Sequence, residues 1–374
     1  MGATEDTTLR STLPGHYYAD GGVYALEQER IFARQWLCTA RASDLEAPGS
    51  FETVEVAGES LILVRGHDQA VRAFLNVCRH RGSRLCSQER GRVTRTLQCP
   101  YHAWSYALDG RLTGAPHLRE MPDLDPVERG LISVPVREWL GYVWICLAAS
   151  PPDFGESVVK QVTDRFGDPA TIDRYGLDRL VVGRRIDYTV RANWKLIVEN
   201  YLECYHCPTV HPEFVAVLPD YRRGYSAVNQ VGYGPSFGEG IQGFTFDGRP
   251  GLDPLPGVEG ERRRRYYGMM VRPQVMINLT PDHVIWHRFV PVAPDRTLVR
   301  CDWLFDARAI ADGRDLEASI ELFRRVNDQD FAAVEACQPA MRSRGYRDGG
   351  VYVPAEHHIA EFNRWVRERL AEPE

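Results

Sequence analysis

Nowhere in this chain of 374 residues does an apolar run approach the ~18 residues that a membrane-crossing helix requires, so no membrane span is expected. Its first residues, MGATEDTTLRS, lack a basic end followed by an apolar core. A secretory signal is therefore not expected, and the expected address is the cytoplasm. There is no excess of basic charge. The formal net charge is −6, which argues against a nucleic-acid groove. No internal repeat is present. The glycine-rich stretch GYGPSFG (232–238) lacks the spacing of a dinucleotide fingerprint, and Pro235 stands where that motif starts a helix. Bound nicotinamide or flavin is accordingly not expected. Cysteines number nine, an odd count in a long chain, so a disulfide framework is not expected either. Most lie in apolar strings, such as Cys146 in YVWICLA, and read as small core residues.

What is present is the composition of a globular protein, 44% hydrophobic and 26% charged, with length enough for two domains. Val23, Leu26, Ile31, Phe32 and Trp36 recur at roughly helical spacing and predict a helix over 21–37. The period then changes. FETVEV, ESLILVRG and AVRAFLNVC are short β-branched and aromatic runs separated by turns. RTLQC and WSYALDGRLTG follow, the second folding at Asp109-Gly110. VREWLGYVWICLA reads as one last buried strand. Residues 38–150 thus form a small all-β domain. SPPDFG marks its end. Residues 1–37 and 151–374 form the larger domain, which mixes strands (RLVVGRRIDYTV, VMINLT, HVIWHRFVPV, TLVRCDWLF) with a helix from Asn193. Two closing helices are expected over 313–343 and 355–370. The fold class is α+β. The basic run Arg262–Arg265 reads as a solvated loop.

Two cysteines leave the core pattern. Cys78-Arg-His80 and Cys99-Pro-Tyr-His102 place one Cys and one His in each of two loops, 18 residues apart. A tetrahedral zinc site is open to such a set. Zinc fingers, however, usually pair Cys with Cys and His with His. The C-x-H…C-x-x-H order within an all-β domain resembles the Rieske pattern, where two cysteines hold one iron of a 2Fe–2S cluster and two histidines the other. Cys86, nearby, reads as packing.

A second constellation begins at Asn193, in NWKLIVENYLECYHCPTVHPEF. Trp194, Ile197, Val198, Tyr201, Leu202 and Tyr205 predict one core face. Asn200, Glu203 and His206 fall on another, one turn apart. Pro208 is expected to end the helix near Cys207, leaving His211 just beyond, able to converge with His206. Asp330 lies inside a helix that packs Phe331, Val334 and Cys337, so it needs a partner. Two His and one carboxylate make the facial triad of non-haem Fe(II). Asp328 is the rival carboxylate.

The two Cys-His pairs, NWK…EN..E.YH….H and the late QD….E..Q helix occur here in the order found in Rieske non-haem iron oxygenases, which the chain resembles over about 20–370. The resemblance implies a helix-grip-like catalytic domain with an antiparallel sheet flanked by helices. It implies a 2Fe–2S cluster on Cys78, His80, Cys99 and His102, and a mononuclear Fe(II) on His206, His211 and Asp330. It also implies a homotrimer in which Glu203 links His102 of one protomer to His206 of the next, and a separate flavin- or ferredoxin-type reductase. ECYHC..VHPEF and DHVIWHRFVPVAPDRTLV are more similar to the quaternary-ammonium branch than to classical ring hydroxylases. That implies oxidative N-demethylation of a betaine-like substrate with O2. An aromatic or alicyclic ring hydroxylase or O-demethylase stays open. A cationic substrate suits aromatic walls, for which Phe214, Tyr221, Tyr233 and Trp286 are candidates.

Overall fold

A computed structural model describes residues 11–371 except 121, 169, 227 and 229. Two compact units emerge, Phe32–Ser157 and the residues outside it.

The first unit is built from strands β1 (Leu37–Arg41), β2 (Ser50–Val56), β3 (Glu59–Arg65), β4 (Val71–Leu75), β5 (Arg90–Arg92), β6 (Thr96–Gln98), β7 (Ser105–Ala107), β8 (Leu112–Gly114), β9 (Ser133–Val134), β10 (Val136–Trp139) and β11 (Tyr142–Ile145). They pair as three sheets, β5-β2-β3-β4-β9, β1-β11-β10 and β6-β7-β8. One expectation is corrected: 136–148 is not a single strand. Trp139 pairs directly with Tyr142, and Leu140 and Gly141 both take positive φ, at 51° and 75°. That is the two-residue hairpin turn whose twist suits antiparallel strands. Leu140 hid it, because the usual Asn or Asp is missing from its place. The core joins Ile62, Val64, Phe74, Leu97, Trp104, Tyr106 and Leu108 to Cys78 and Cys99. Both cysteines thus enter their loops from the apolar interior.

The second unit holds one antiparallel sheet, ordered β12-β16-β15-β14-β13. Its strands are β12 (Val181–Val190), β13 (Tyr267–Val271), β14 (Val275–Leu279), β15 (His283–Ala293) and β16 (Arg296–Phe305). β13 escaped the sequence reading. Its YGMMV carries Gly268 and two Met, residues of weak strand preference, yet all five residues are buried and pair in register with β14. The helices that matter for function are α1 (Gly21–Glu27), α2 (Trp194–Leu202), α3 (Cys207–Val210), α4 (Pro212–Val217), α5 (Glu317–Cys337) and α6 (His357–Ala371). The helix expected over 21–37 is therefore shorter and passes into a π-turn at Gln28–Phe32. α5 packs on the sheet through Phe331 against Tyr188, with centroids 4.9 Å apart, and through Phe323 against His287. Sheet and flanking helices make the α+β arrangement.

α2 is fixed at its base by buried polar groups. Asn193 caps it, accepting from Lys195 N–H at 3.0 Å, while its own N–H donates to Gln338 Oε1 at 2.7 Å. Lys195, fully buried, pairs with the equally buried Glu27 of α1, which also accepts from Trp194 Nε1. Removing one partner of such a pair strands the other charge, at a cost of about 3–5 kcal/mol. The NWK run is thus an anchor. The Arg262–Arg265 run also has structural work: Arg263, Arg264 and Arg265 donate to the backbone carbonyls of Val258, Gly238 and Gly234.

Candidate metal centres

In the first unit the two Cys-His loops share one backbone pattern. Cys78 N–H donates to Ser83 O, and Gly82 N–H returns to Cys78 O. In the second loop Cys99 N–H donates to Trp104 O, and Ala103 N–H returns to Cys99 O. Each loop closes on a left-handed residue, Gly82 at φ 76° and Ala103 at φ 56°. Both sulfurs are buried, whereas His80 is exposed and His102 partly so. The His80 and His102 rings lie 4.8 Å apart, and His80 stacks on Trp104. All four sequence-predicted residues therefore meet at two adjacent tips. The structure adds Tyr106, which the sequence reading missed. Its hydroxyl accepts from Arg79 N–H at 3.0 Å and lies within hydrogen-bond reach of Cys78 Sγ at 3.3 Å. Burial raises the Cys99 thiol, but the N–H groups of Tyr101 and His102, together with the side chains of Cys78 and Ser83, outweigh it and hold the group below the usual thiol range. Cys86 is buried, and burial pushes its thiol up to about 11.

In the second unit α2 stops at Leu202, short of the expected end near Cys207. Glu203 is its C-cap, in extended conformation, and its carboxylate accepts from the N–H groups of Tyr205 and His206. The chain leaves the helix there, so Tyr205, expected in the core face, is 60% exposed. Pro208 lies in the first turn of α3 and opens a helix rather than ending one. Across that turn Cys204 and Cys207 form a disulfide, with Cα atoms 4.9 Å apart. This corrects the expectation that these cysteines are merely small core residues. It is a local bridge of spacing three, not a framework.

His206 precedes α3 and His211 ends it, so one short turn aims both rings at α5. His206 Nε2 lies 3.2 Å from His211 Nε2, and Asp330 Oδ1 lies 3.2 and 2.8 Å from them. Their ligand atoms all lie within 4.8 Å of one another, close enough for the three to hold a single ion. Asp328 faces elsewhere, half-exposed and paired with Arg324 at 3.2 Å. Burial lowers the basicity of His206, but Asp330 and Glu203 more than reverse this and lift it to about 10. Asp330 is held down at about 2 against its own burial by the two histidines. Glu203 Oε1 takes the His206 Nδ1 side. Gln329 Oε1 lies 2.7 Å from His211 Nδ1, and Gln329 Nε2 donates to Glu213 at 2.9 Å. Gln329 and Glu213 stand within the QD and HPEF runs of the sequence, but the residues alone gave them no role.

The cavity at the triad is lined by Asn200, Glu203, Cys204 and Cys207, and by the rings of Phe214, Tyr221, Tyr266 and Phe323. Phe214 and Tyr221, two of the four aromatic candidates, are on its wall. Trp286 is buried in the sheet, and Tyr233 bonds Asp220 at 2.5 Å.

Comparison with known proteins accords with both centres. Residues 35–130 match the Rieske [2Fe-2S] domain, and residues 177–372 match the ring hydroxylating alpha subunit (catalytic domain). The chain is 31% identical to the glycine betaine monooxygenase oxygenase subunit of Chromohalobacter salexigens, over 96% of this chain and 86% of the relative. It is 32% identical to the carnitine monooxygenase oxygenase subunit of Escherichia coli K12, over 94% and 92%. A solved quaternary ammonium Rieske monooxygenase, reported to bear on carnitine oxidation by gut microbiota and inter-subunit electron transfer, superposes with a TM-score of 0.75. Their identity is 27%, and the match covers 96% of both chains.

Proposed function

Because this chain belongs to the ring-hydroxylating α-subunit family of Rieske oxygenases, we propose that it oxidatively N-demethylates a betaine-like quaternary ammonium substrate. Its cofactors are a Rieske 2Fe–2S cluster and a mononuclear non-haem iron. Cys78, His80, Cys99 and His102 would hold the cluster, and His206, His211 and Asp330 the single iron. The donor sets support that assignment. Two buried sulfurs beside two outward imidazoles suit a cluster with one thiolate-held and one imidazole-held iron. Three donors about 3 Å apart have the spacing of adjacent positions around an ion bonded at about 2.1 Å. When bound, the cluster supplies electrons singly and the iron activates dioxygen.

The protein's part is to orient, to exclude water and to select. Glu203 accepts a hydrogen bond from His206 Nδ1–H, which leaves Nε2 facing Asp330 and fixes the ring. By the family's pattern Glu203 also reaches a neighbouring protomer in a homotrimer, and a separate flavin- or ferredoxin-type reductase is the electron source. The observation that carries the substrate reading is the aromatic wall. Five aromatic residues, Tyr201, Phe214, Tyr221, Tyr266 and Phe323, line the triad's cavity, and no Lys or Arg lines it. A quaternary ammonium is attracted to ring faces and cannot hydrogen-bond, so such walls recognise it without polar partners. Hydroxylation of an N-methyl group gives a hemiaminal-type carbon that leaves as formaldehyde, with the amine as the second product. Purified protein with a reductase and a panel of quaternary amines tests this. Formaldehyde formed in step with O2 uptake on a betaine is expected. Turnover of aromatic or alicyclic substrates with none of any quaternary amine would overturn the reading.

A further inference from the structure

The two triad histidines are held at Nδ1 by different chemistry. Glu203 serves His206 directly, but His211 meets a neutral amide. We infer that Glu213 and Gln329 act as a pair of positioning residues that fix the tautomer of His211. The inference rests on His211 being an iron ligand.

An ionised carboxylate only accepts hydrogen bonds, whereas an amide has a donating and an accepting end. Gln329 Nε2 sits 2.9 Å from Glu213 Oε1, so its NH2 end must face Glu213. The other end, Oε1, then lies 2.7 Å from His211 Nδ1. Two acceptors cannot bond, so Nδ1 must carry the hydrogen. In a neutral imidazole the lone pair is then on Nε2, the atom 2.8 Å from Asp330 Oδ1 and 3.2 Å from His206 Nε2. If the amide turned over, its NH2 would meet Nδ1 and favour a hydrogen on Nε2. That tautomer presents no lone pair to a metal. Glu213 therefore controls a ring it does not touch, by holding the amide one way round.

The placement is economical. Glu213 lies two residues after His211, in the first turn of α4, and Gln329 directly precedes Asp330 on α5. The segment that supplies each donor also supplies half of the orienting pair. His211 is 1% exposed, so water is a poor substitute for the amide.

The experiment is anaerobic titration of Fe(II) into cluster-loaded protein against a competing chelator, with ligand-field magnetic circular dichroism of the ferrous site. Glu213→Gln keeps size and still ties α4 to α5 through an amide pair, but no longer dictates the Gln329 orientation. About tenfold weaker iron binding and shifted ligand-field bands are expected. Exchanging the two groups, Glu213→Gln with Gln329→Glu, again places an acceptor on His211 and a donor opposite, and should restore affinity and bands. A merely structural brace predicts no loss in Glu213→Gln, and wild-type affinity and bands there would overturn the inference. Failure of the exchange variant to recover, with cluster absorption intact, would overturn it equally. His211→Ala separates the two levels: if it retains full iron, the ligand reading falls first.

Discussion

The two candidate centres solve one problem, holding donors still, in opposite ways. At the Cys-His tips the backbone does the work. Each loop is closed by a pair of main-chain hydrogen bonds about its cysteine, and both follow the same register. At the triad, side chains do it: Glu203, Gln329 and Glu213 orient the rings of His206 and His211, and Gln329 does so from 118 residues further along the chain. A loop held by its own backbone carries its ligands in contiguous motifs. A site held by side chains from α2, α4 and α5 is only partly written in any one segment. The difference also predicts robustness, since a backbone-held loop tolerates side-chain change except at the ligands and at residues of special φ.

The largest effect tests whether the centres are independent. Cys99→Ala removes one of two buried sulfurs and should abolish the visible absorption of the cluster while leaving Fe(II) binding at the triad. Colour retained at wild-type intensity would break the cluster assignment. The next test sharpens the triad side. Asp330→Ala should lose mononuclear iron and turnover with cluster absorption unchanged. Asp328→Ala removes only an exposed pair with Arg324, worth under ~1 kcal/mol, and should keep its iron. Equal iron loss in both would move the ligand assignment off Asp330.

This contrast explains what could be read from residues alone. The cluster loops were legible because spacing within each motif sets their geometry. Asp330 was legible because an acid in a packed helix needs partners. The end of α2 was not. Pro208 offered a plausible stop, but Glu203 ends the helix earlier by turning its carboxylate onto the N–H groups beyond it, and a Glu in a helical pattern gives no sign of that. Tyr106, Gln329 and Glu213 were illegible for another reason. Their roles exist only once the fold has brought Tyr106 of β7 against Cys78, and Gln329 of α5 between His211 and Glu213. Among the strands, β13 was lost because burial in register with β14 outweighs the weak preference of its Gly and Met.

The smallest effect probes the backbone pattern itself. Gly82 and Ala103 occupy equivalent places in the two loops, four residues after each cysteine, and both are left-handed. Glycine adopts that conformation freely, while an L side chain there costs roughly 1–2 kcal/mol. A Cβ added at Gly82 would meet nothing within 4 Å, so Gly82→Ala isolates the backbone cost from packing. The side chain of Ala103 is exposed, so Ala103→Gly gives up little contact. If both loops follow one recipe, the substitutions should act with opposite sign. Gly82→Ala should lower stability by about 1 kcal/mol. Ala103→Gly should raise it by about 0.5–1 kcal/mol, because relief of strain exceeds the added freedom of the unfolded chain. Denaturant unfolding followed by cluster absorption measures both. A loss of stability in Ala103→Gly would mean that the second loop depends on its methyl group rather than its main chain, and the likeness of the tips would be one of shape alone.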